Sequence, residues 1–359
     1  MNLKNLELEQ WQALLAPLEC SPTAVRKLFA AVFAHGAPDV RALRAVPQVP
    51  VRVRSHLLER AELPSLAVLE RRRVQDGFVK YLFESPAGGR FEAVRIPLFE
   101  EKYVVCISSQ VGCALACDFC ATGRLGFSRN LETGEMVDQV MHIRAEADRP
   151  VRGVVFMGMG EPLLNPTEVL RAARILSHPA GLAIAARAIS LSTAGVVPAI
   201  RRYVRERHPY RLVFSLTSAI PEKRLRVMPV EATHSLPELV SAIRAYTRVR
   251  RERAMLAYVL ISGFNTGRED AEALASAFEG IAVKLDLIDV TDVTGRYLPP
   301  GPEELARFRD YLQVLRAPIA RRYSGGKDIQ AACGTLAGTS LGGELLSLAP
   351  ALGNRRWVS

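Results

Sequence analysis

Four of this chain's six cysteines lie within fifteen positions: Cys106, Cys113, Cys117 and Cys120. The last three are spaced C-x3-C-x2-C, as Cys113-Ala114-Leu115-Ala116-Cys117-Asp118-Phe119-Cys120. Three thiolates can hold three irons of a [4Fe–4S] cluster and leave the fourth iron without a protein ligand. That open iron can chelate the amino and carboxylate groups of S-adenosylmethionine, and an electron from the cluster then cleaves the sulfonium to a 5′-deoxyadenosyl radical. Two plainer readings compete. Cysteines at i, i+4 and i+7 can form an apolar stripe, because free cysteine packs as a small hydrophobe. Alternatively, Cys106 could complete a structural four-cysteine zinc site in an RNA-binding protein, although such ligands usually come in paired C-x2–4-C knuckles. A disulfide-stapled secreted domain would be short and would spread its cysteines; here the chain is long and they cluster.

The triplet must be positioned by the elements around it. It follows the first of six apolar, β-branched runs, at 103–108, 153–157, 188–192, 211–216, 255–261 and 283–290. Helical patterns lie between them. Asn165-Pro166-Thr167-Glu168 combines an N-cap, a first-turn proline and a capping-box glutamate; Ser235 with Glu238 and Thr266 with Glu269 repeat the box. After Pro302, Leu305, Phe308, Leu312 and Leu315 share a helix face. Strands alternating with helices predict an α/β fold with a parallel sheet. Six units fit a partial (β/α)6 barrel, with chemistry at the C-terminal strand ends. Residues 1–70 read as short helices, one capped by Ser21 and opened by Pro22. Residues 71–100 read as a β-hairpin, alternating on both sides of Ser85-Pro86-Ala87-Gly88-Gly89. The expected organisation is a helical accessory domain (1–70), a hairpin (71–100), the barrel core (101–340) and a tail (341–359).

The 359 residues are 49% apolar and 23% charged, a globular balance. No apolar run is long enough to span a bilayer, and the start lacks a secretory signal, so the cytoplasm is the expected compartment and no membrane partner is expected. A net charge of +10 favours a polyanionic partner. Arg201, Arg202, Arg205, Arg207 and Arg211 crowd one segment with Tyr203 and Tyr210 interleaved; Arg248, Arg250, Arg251 and Arg253 form a second cluster. Arg316, Arg321, Arg322 and Lys327, with Tyr323, form a third that leads to Cys333. Arginines among aromatics suit phosphate contact and base stacking; a solvated helix face is the plainer reading of each cluster.

Longer motifs go further. Ser108-Ser109-Gln110-Val111-Gly112 runs into the triplet and Ala121-Thr122-Gly123 follows it; Gly126-Phe127-Ser128-Arg129-Asn130-Leu131 comes next. Met157-Gly158-Met159-Gly160-Glu161-Pro162-Leu163-Leu164-Asn165, Leu191-Ser192-Thr193-Ala194-Gly195 and Lys327-Asp328-Ile329-Gln330-Ala331-Ala332-Cys333-Gly334 complete the set. Together they resemble the RlmN/Cfr family of radical SAM RNA (adenine) methyltransferases, over about residues 1–340, as a divergent RlmN-like member.

The resemblance implies one [4Fe–4S] cluster per chain on Cys113, Cys117 and Cys120, and S-adenosylmethionine contacts at Gly160, Glu161, Ser192, Ser215, Leu216, Thr217 and Thr291. It implies that Cys333 carries a methyl group as S-methylcysteine, that Cys106 resolves the RNA adduct through a transient disulfide with Cys333, and that Glu92 accepts a proton. Read alone, Glu92 would be a solvated hairpin carboxylate. The implied reaction is methylation of an adenine carbon, C2 preferred and C8 possible, in ribosomal RNA, transfer RNA or both. RNA binding by residues 1–70, a monomeric state and an electron donor such as flavodoxin go with it. A base that undergoes chemistry must leave its stack, so a single-stranded or bulged target is expected. Thr217 and Thr291 depart from the family's usual His and Asn, which keeps open a radical SAM methyltransferase with a non-RNA substrate.

Overall fold

The structure is a computed structural model and describes residues 1–99, 101–322 and 325–337. Its strands, in chain order, are β1 (Ala67–Arg73), β2 (Val79–Glu84), β3 (Arg90–Leu98), β4 (Lys102–Ile107), β5 (Gln110–Gly112), β6 (Phe127–Asn130), β7 (Val151–Phe156), β8 (Ile189–Thr193), β9 (Arg211–Ser215), β10 (Ala254–Leu260), β11 (Val283–Asp289) and β12 (Ile319–Arg321). The six expected apolar runs become β4, β7, β8, β9, β10 and β11, parallel neighbours in that order. Two strands go beyond the expectation. β12 adds a seventh parallel strand, but its three residues are too few to show a pattern. β1 extends the hairpin of β2 and β3 into a three-stranded antiparallel edge; it straddles the expected boundary at residue 70, and its run of Glu70 and three arginines hides its strand character. The ten-stranded sheet has β1 and β12 as its edges and does not close, as a partial barrel requires.

Register decides which side chains meet inside. Val94 pairs with Cys106, Cys106 with Val155 and Val155 with Ser190, so these residues share a face. Further along the same face, Ser215 lies opposite Ala257, and Val259 opposite Ile288. The alternate residues Val105, Ile107, Leu191, Leu256 and Tyr258 are fully buried in the main apolar core, which helices such as Thr133–Ala145, Pro166–Ser177 and Leu236–Arg250 complete.

Ser21 caps its helix by accepting from the Ala24 N–H at 3.2 Å, and Ser235 and Glu238 form the expected box. Two caps differ. Asn165 gives its amide instead to the carbonyls of Ser109 (3.1 Å) and Leu131 (2.8 Å), so it ties loops rather than capping. The helix from Arg268 is closed by the Gly267 N–H on Asp270 (3.0 Å), because Thr266 donates to Glu304. The N-terminal helices Leu8–Leu15, Pro22–Phe33 and Val51–Arg60 share one continuous apolar cluster with the barrel. A buried ion pair, Lys4 Nζ to Asp138 Oδ1 at 2.5 Å, ties Lys4 to helix Thr133–Ala145. Among the described residues no helix is long and apolar enough to cross a membrane.

Candidate active site

The cysteine loop is closed at its base by β5 and β6, which pair antiparallel. The Cys113 N–H donates to the Gly126 carbonyl (2.8 Å), the Cys120 N–H to that of Cys117 (3.1 Å) and the Asp118 N–H to that of Val227 (3.0 Å). At Gly112 (φ 75°) a Cβ would lie 1.9 Å from the Gly126 oxygen, so only glycine lets the base close. All three cysteines line one cleft of about 980 Å³. Among the described residues no three His, Cys, Asp or Glu side chains are gathered as a site for one metal ion, and Cys106 is not in the cleft wall. Three thiols lining one space suit a cluster held by three cysteines, and the cysteine that a four-cysteine zinc site would need as its fourth ligand, Cys106, does not join them in that wall. Burial pushes the Cys113 thiol up to about 12 and raises Cys117 as well; coordination to a metal reverses this, because a bound thiol is deprotonated outright.

The loop after β7 forms the second wall. The Gly158 N–H donates to the Ile107 carbonyl (3.0 Å), Ser108 Oγ accepts from the Met159 N–H (2.8 Å) and Gln110 Oε1 from the Glu161 N–H (2.9 Å). These bonds join the two loops tightly: at Gly160 (φ 100°) a Cβ would lie 2.6 Å from that of Gln110. Glu161 lines the cleft, and its carboxylate accepts from the N–H groups of Leu163 (3.0 Å) and Ala194 (2.8 Å). Burial outweighs those bonds and pushes the carboxyl up to about 7; a nearby ammonium would favour the ionised form. Ser192 and Ser215, their Oγ atoms 3.2 Å apart, end β8 and β9 in the same wall. Thr291 Oγ1 is buried there without a hydrogen-bond partner among the described residues. Two serine hydroxyls, an unpartnered hydroxyl and a carboxylate fit a polar ligand such as S-adenosylmethionine.

Leu216 and Thr217 do not line the cleft as expected. Side chains alternate, so Leu216 turns into the apolar core while Ser215 faces the cleft. The chain then turns at Thr217 (φ 59°), whose carbonyl accepts from Asn265 Nδ2 at 2.7 Å.

The segment around Cys333 supplies the third wall. The Gly334 carbonyl accepts from the Ala121 N–H (2.8 Å), the Leu336 carbonyl from Thr122 Oγ1 (2.5 Å) and Glu92 Oε2 from the Ala337 N–H (2.8 Å). Cys333 is exposed and faces the same cleft as the triplet. The protein crowding around it raises its thiol, against the Arg322 guanidinium. Cys106 is buried; burial pushes it up to about 12, and a Cys333 thiolate adds to that while Arg322 opposes it. Tyr323, Ser324, Gly338 and the tail lie outside the described residues.

Glu92 is not a solvated hairpin residue. It is 0% exposed, pairs with the buried Lys80 at 2.8 Å and does not line the cleft. The aromatic members of the first arginine cluster are also redirected: Tyr203 and Tyr210 are core residues, with Tyr203 Oη donating to the Tyr210 carbonyl (2.8 Å).

Two arginines gain roles that sequence reading did not give them. Arg322, grouped above with phosphate-binding residues, lines the cleft and pairs with Asp286 at 3.2 Å. The available signal was Lys284 and Asp286 at alternate positions of an apolar strand, since inward charges require partners. Arg224 is fully buried, pairs with Glu231 at 2.9 Å and donates to the carbonyls of Ala194 (2.6 Å), Ser215 (3.1 Å) and Leu216 (2.5 Å), so it pins the ends of β8 and β9. Nothing in the sequence separates it from its neighbours Lys223 and Arg226.

Residues 107–277 match the radical SAM superfamily. A probable RNA methyltransferase of Myxococcus xanthus (strain DK1622) is 70% identical over 346 residues, 96% of this chain and 97% of that protein. A dual-specificity RNA methyltransferase RlmN of Syntrophobacter fumaroxidans is 40% identical over 333 residues, 92% of this chain and 95% of its own. The crystal structure of a radical SAM methyltransferase from Sphaerobacter thermophilus superposes with a TM-score of 0.87 at 34% identity, over 94% of this chain and 100% of that one.

Proposed function

Because the chain belongs to the RlmN-like radical SAM RNA methyltransferases, we propose that it methylates an adenine carbon, C2 in preference to C8, in ribosomal RNA, transfer RNA or both. The observation that carries this reading is the shared cleft: Cys113, Cys117, Cys120, Glu161 and Cys333 line one space although Cys333 is remote in sequence. With S-adenosylmethionine on a [4Fe–4S] cluster, such a site is supplied with a methyl group and with a 5′-deoxyadenosyl radical. In the proposed division of labour, Cys113, Cys117 and Cys120 are the iron ligands. The Gly160–Glu161 segment, Ser192, Ser215 and Thr291 seat S-adenosylmethionine.

Cys333 carries the methyl group, its sulfur holding the carbon that is joined to the base. Cys106 forms a disulfide with Cys333 that frees the RNA. Glu92 is the proton acceptor once the Ala337 N–H releases it; until then it holds the Cys333 segment in place. Residues 1–70 contact RNA, the chain acts as a monomer, and a flavodoxin-type protein supplies electrons in the cytoplasm.

The test is mass spectrometry of nucleosides from RNA treated with the reconstituted full chain and methyl-deuterated S-adenosylmethionine. The expected product is 2-methyladenosine, with labelled methyl on the Cys333 peptide. Label in 8-methyladenosine would reverse the preferred position, and label only in a non-RNA acceptor would sink the substrate.

A further inference from the structure

Arg207 and Arg211 of the first arginine cluster, and the second cluster, lie at the opposite end of the barrel from the cleft. Arg207 and Arg211 precede or begin β9, and Arg251 and Arg253 precede β10, while Ser215, Ala257 and Val259 near the other ends of those strands line the cleft. The two ends are one strand length apart, roughly 20 Å. There Arg207, Arg248, Arg250 and Arg251 surround an open hollow of about 880 Å³. Arg250 is engaged, pairing with Glu252 (3.0 Å) and donating to the His208 carbonyl (3.1 Å). The side chains of Arg207, Arg248 and Arg251 are exposed and make no hydrogen bond or ion pair with any described residue. The nearby acids are already paired: Glu206 with Arg202 and His208, and Glu252 with Arg250.

Backbone conformation adds an independent observation. Arg207 (φ 53°) and Arg251 (φ 54°) end their helices in the left-handed region, as does Arg316 (φ 50°) before β12. Glycine is the usual residue there because a Cβ is unfavourable. A cation near a helix C-terminus is favourable, which accounts for one arginine per helix. It does not account for three unpaired guanidinium groups, those of Arg207, Arg248 and Arg251, around one hollow, which repel one another unless an anion neutralises them.

Resting on the RNA methyltransferase reading, we propose that this rim is a second RNA-binding surface, which takes backbone phosphates of a large folded substrate while its target adenine occupies the distant cleft. An RNA short enough to fill only the cleft cannot reach the rim. Phosphate contacts supply affinity and orientation without reading sequence, so the rim favours extended structured RNA over isolated single strands.

The test compares full-length reconstituted wild type with the triple variant Arg207→Gln, Arg248→Gln, Arg251→Gln. The probes are protein-free large-subunit ribosomal RNA and a twelve-nucleotide adenine-containing oligomer, each bound across a salt series. Affinity for the ribosomal RNA is expected to fall roughly tenfold or more, and its salt slope by about 3, at about 0.9 per lost phosphate contact. Binding of the oligomer is expected to be unchanged. An unchanged slope with ribosomal RNA overturns the surface, as does an equal loss with both probes, which would report only a smaller overall field. Loss of binding to an acidic protein, with RNA binding intact, would assign the rim to that class of partner and overturn the proposal. A wild type that binds ribosomal RNA through the rim but methylates no RNA would instead overturn the proposed function alone.

Discussion

The loop bearing Cys113, Cys117 and Cys120 is held mostly by nearby residues: its base is the β5–β6 ribbon, and two of its internal bonds span thirteen residues or fewer. The segment bearing Cys333 is held from a distance, by Ala121, by Thr122 across 214 positions and by Glu92 across 245. One half of the site is therefore a local motif and the other a tertiary construction. A local motif keeps its geometry when the rest of the chain shifts, whereas a docked segment can leave and return, because its contacts are few and can break without unfolding the sheet. That suits the two tasks proposed for them, a fixed cluster and a carrier that must meet first a methyl donor, then a base, then a second thiol.

The largest expected effect cuts the halves apart. Alanine at Cys113, Cys117 or Cys120 should abolish iron binding and cleavage of S-adenosylmethionine, whereas Cys333→Ala should retain both and lose methyl transfer completely. Iron analysis and product chromatography read the difference; loss of iron in Cys333→Ala would show that the halves are one unit. Next in size, Cys106→Ala should keep iron and methylated Cys333 yet lose turnover, with RNA remaining covalently attached under denaturing electrophoresis. Normal turnover in that variant would make Cys106 a packing residue only.

Glu92→Gln tests the long-range anchor. Removing one partner of a buried pair leaves Lys80 uncompensated and should cost about 3 kcal/mol in chemical denaturation, with iron content retained. Replacing both Lys80 and Glu92 by Met should cost less. A loss under about 0.5 kcal/mol for the single variant would show that the pair is not desolvated in solution. The smallest effect concerns pH. Because the Glu161 carboxyl is raised to about 7, its contribution to folding is fully present below its unfolded value near 4.5 and is lost as pH rises through 7. Binding of an ammonium group has the opposite sign and favours the carboxylate. Calorimetry with S-adenosylhomocysteine should therefore show affinity rising roughly threefold to tenfold from about pH 6 to 7.5; a flat profile would place the ammonium elsewhere.

The same division explains what could be read from the sequence. The six barrel strands were legible as apolar runs of five or more positions, the hairpin by its alternation on both sides of a Gly/Pro turn, and the cysteine loop because its three cysteines sit within eight residues. β12 was too short, and β1 too charged, to carry that signal. Tyr203 looked like a stacking platform among arginines, but Val197, Ile200 and Tyr203 follow the helical period and bury one face. The burial of Glu92 could not be read, because it depends on Lys80 across the hairpin and on Ala337 far along the chain.

The wide separation of the two halves also sets an order in time. The ribosome releases the chain from its N terminus, and Cys333 lies 213 positions after Cys120. At about 5–20 residues per second, that is roughly ten to forty seconds during which the three proposed cluster ligands exist and the proposed methyl carrier does not. Iron–sulfur loading in that interval meets no competing Cys333 thiol.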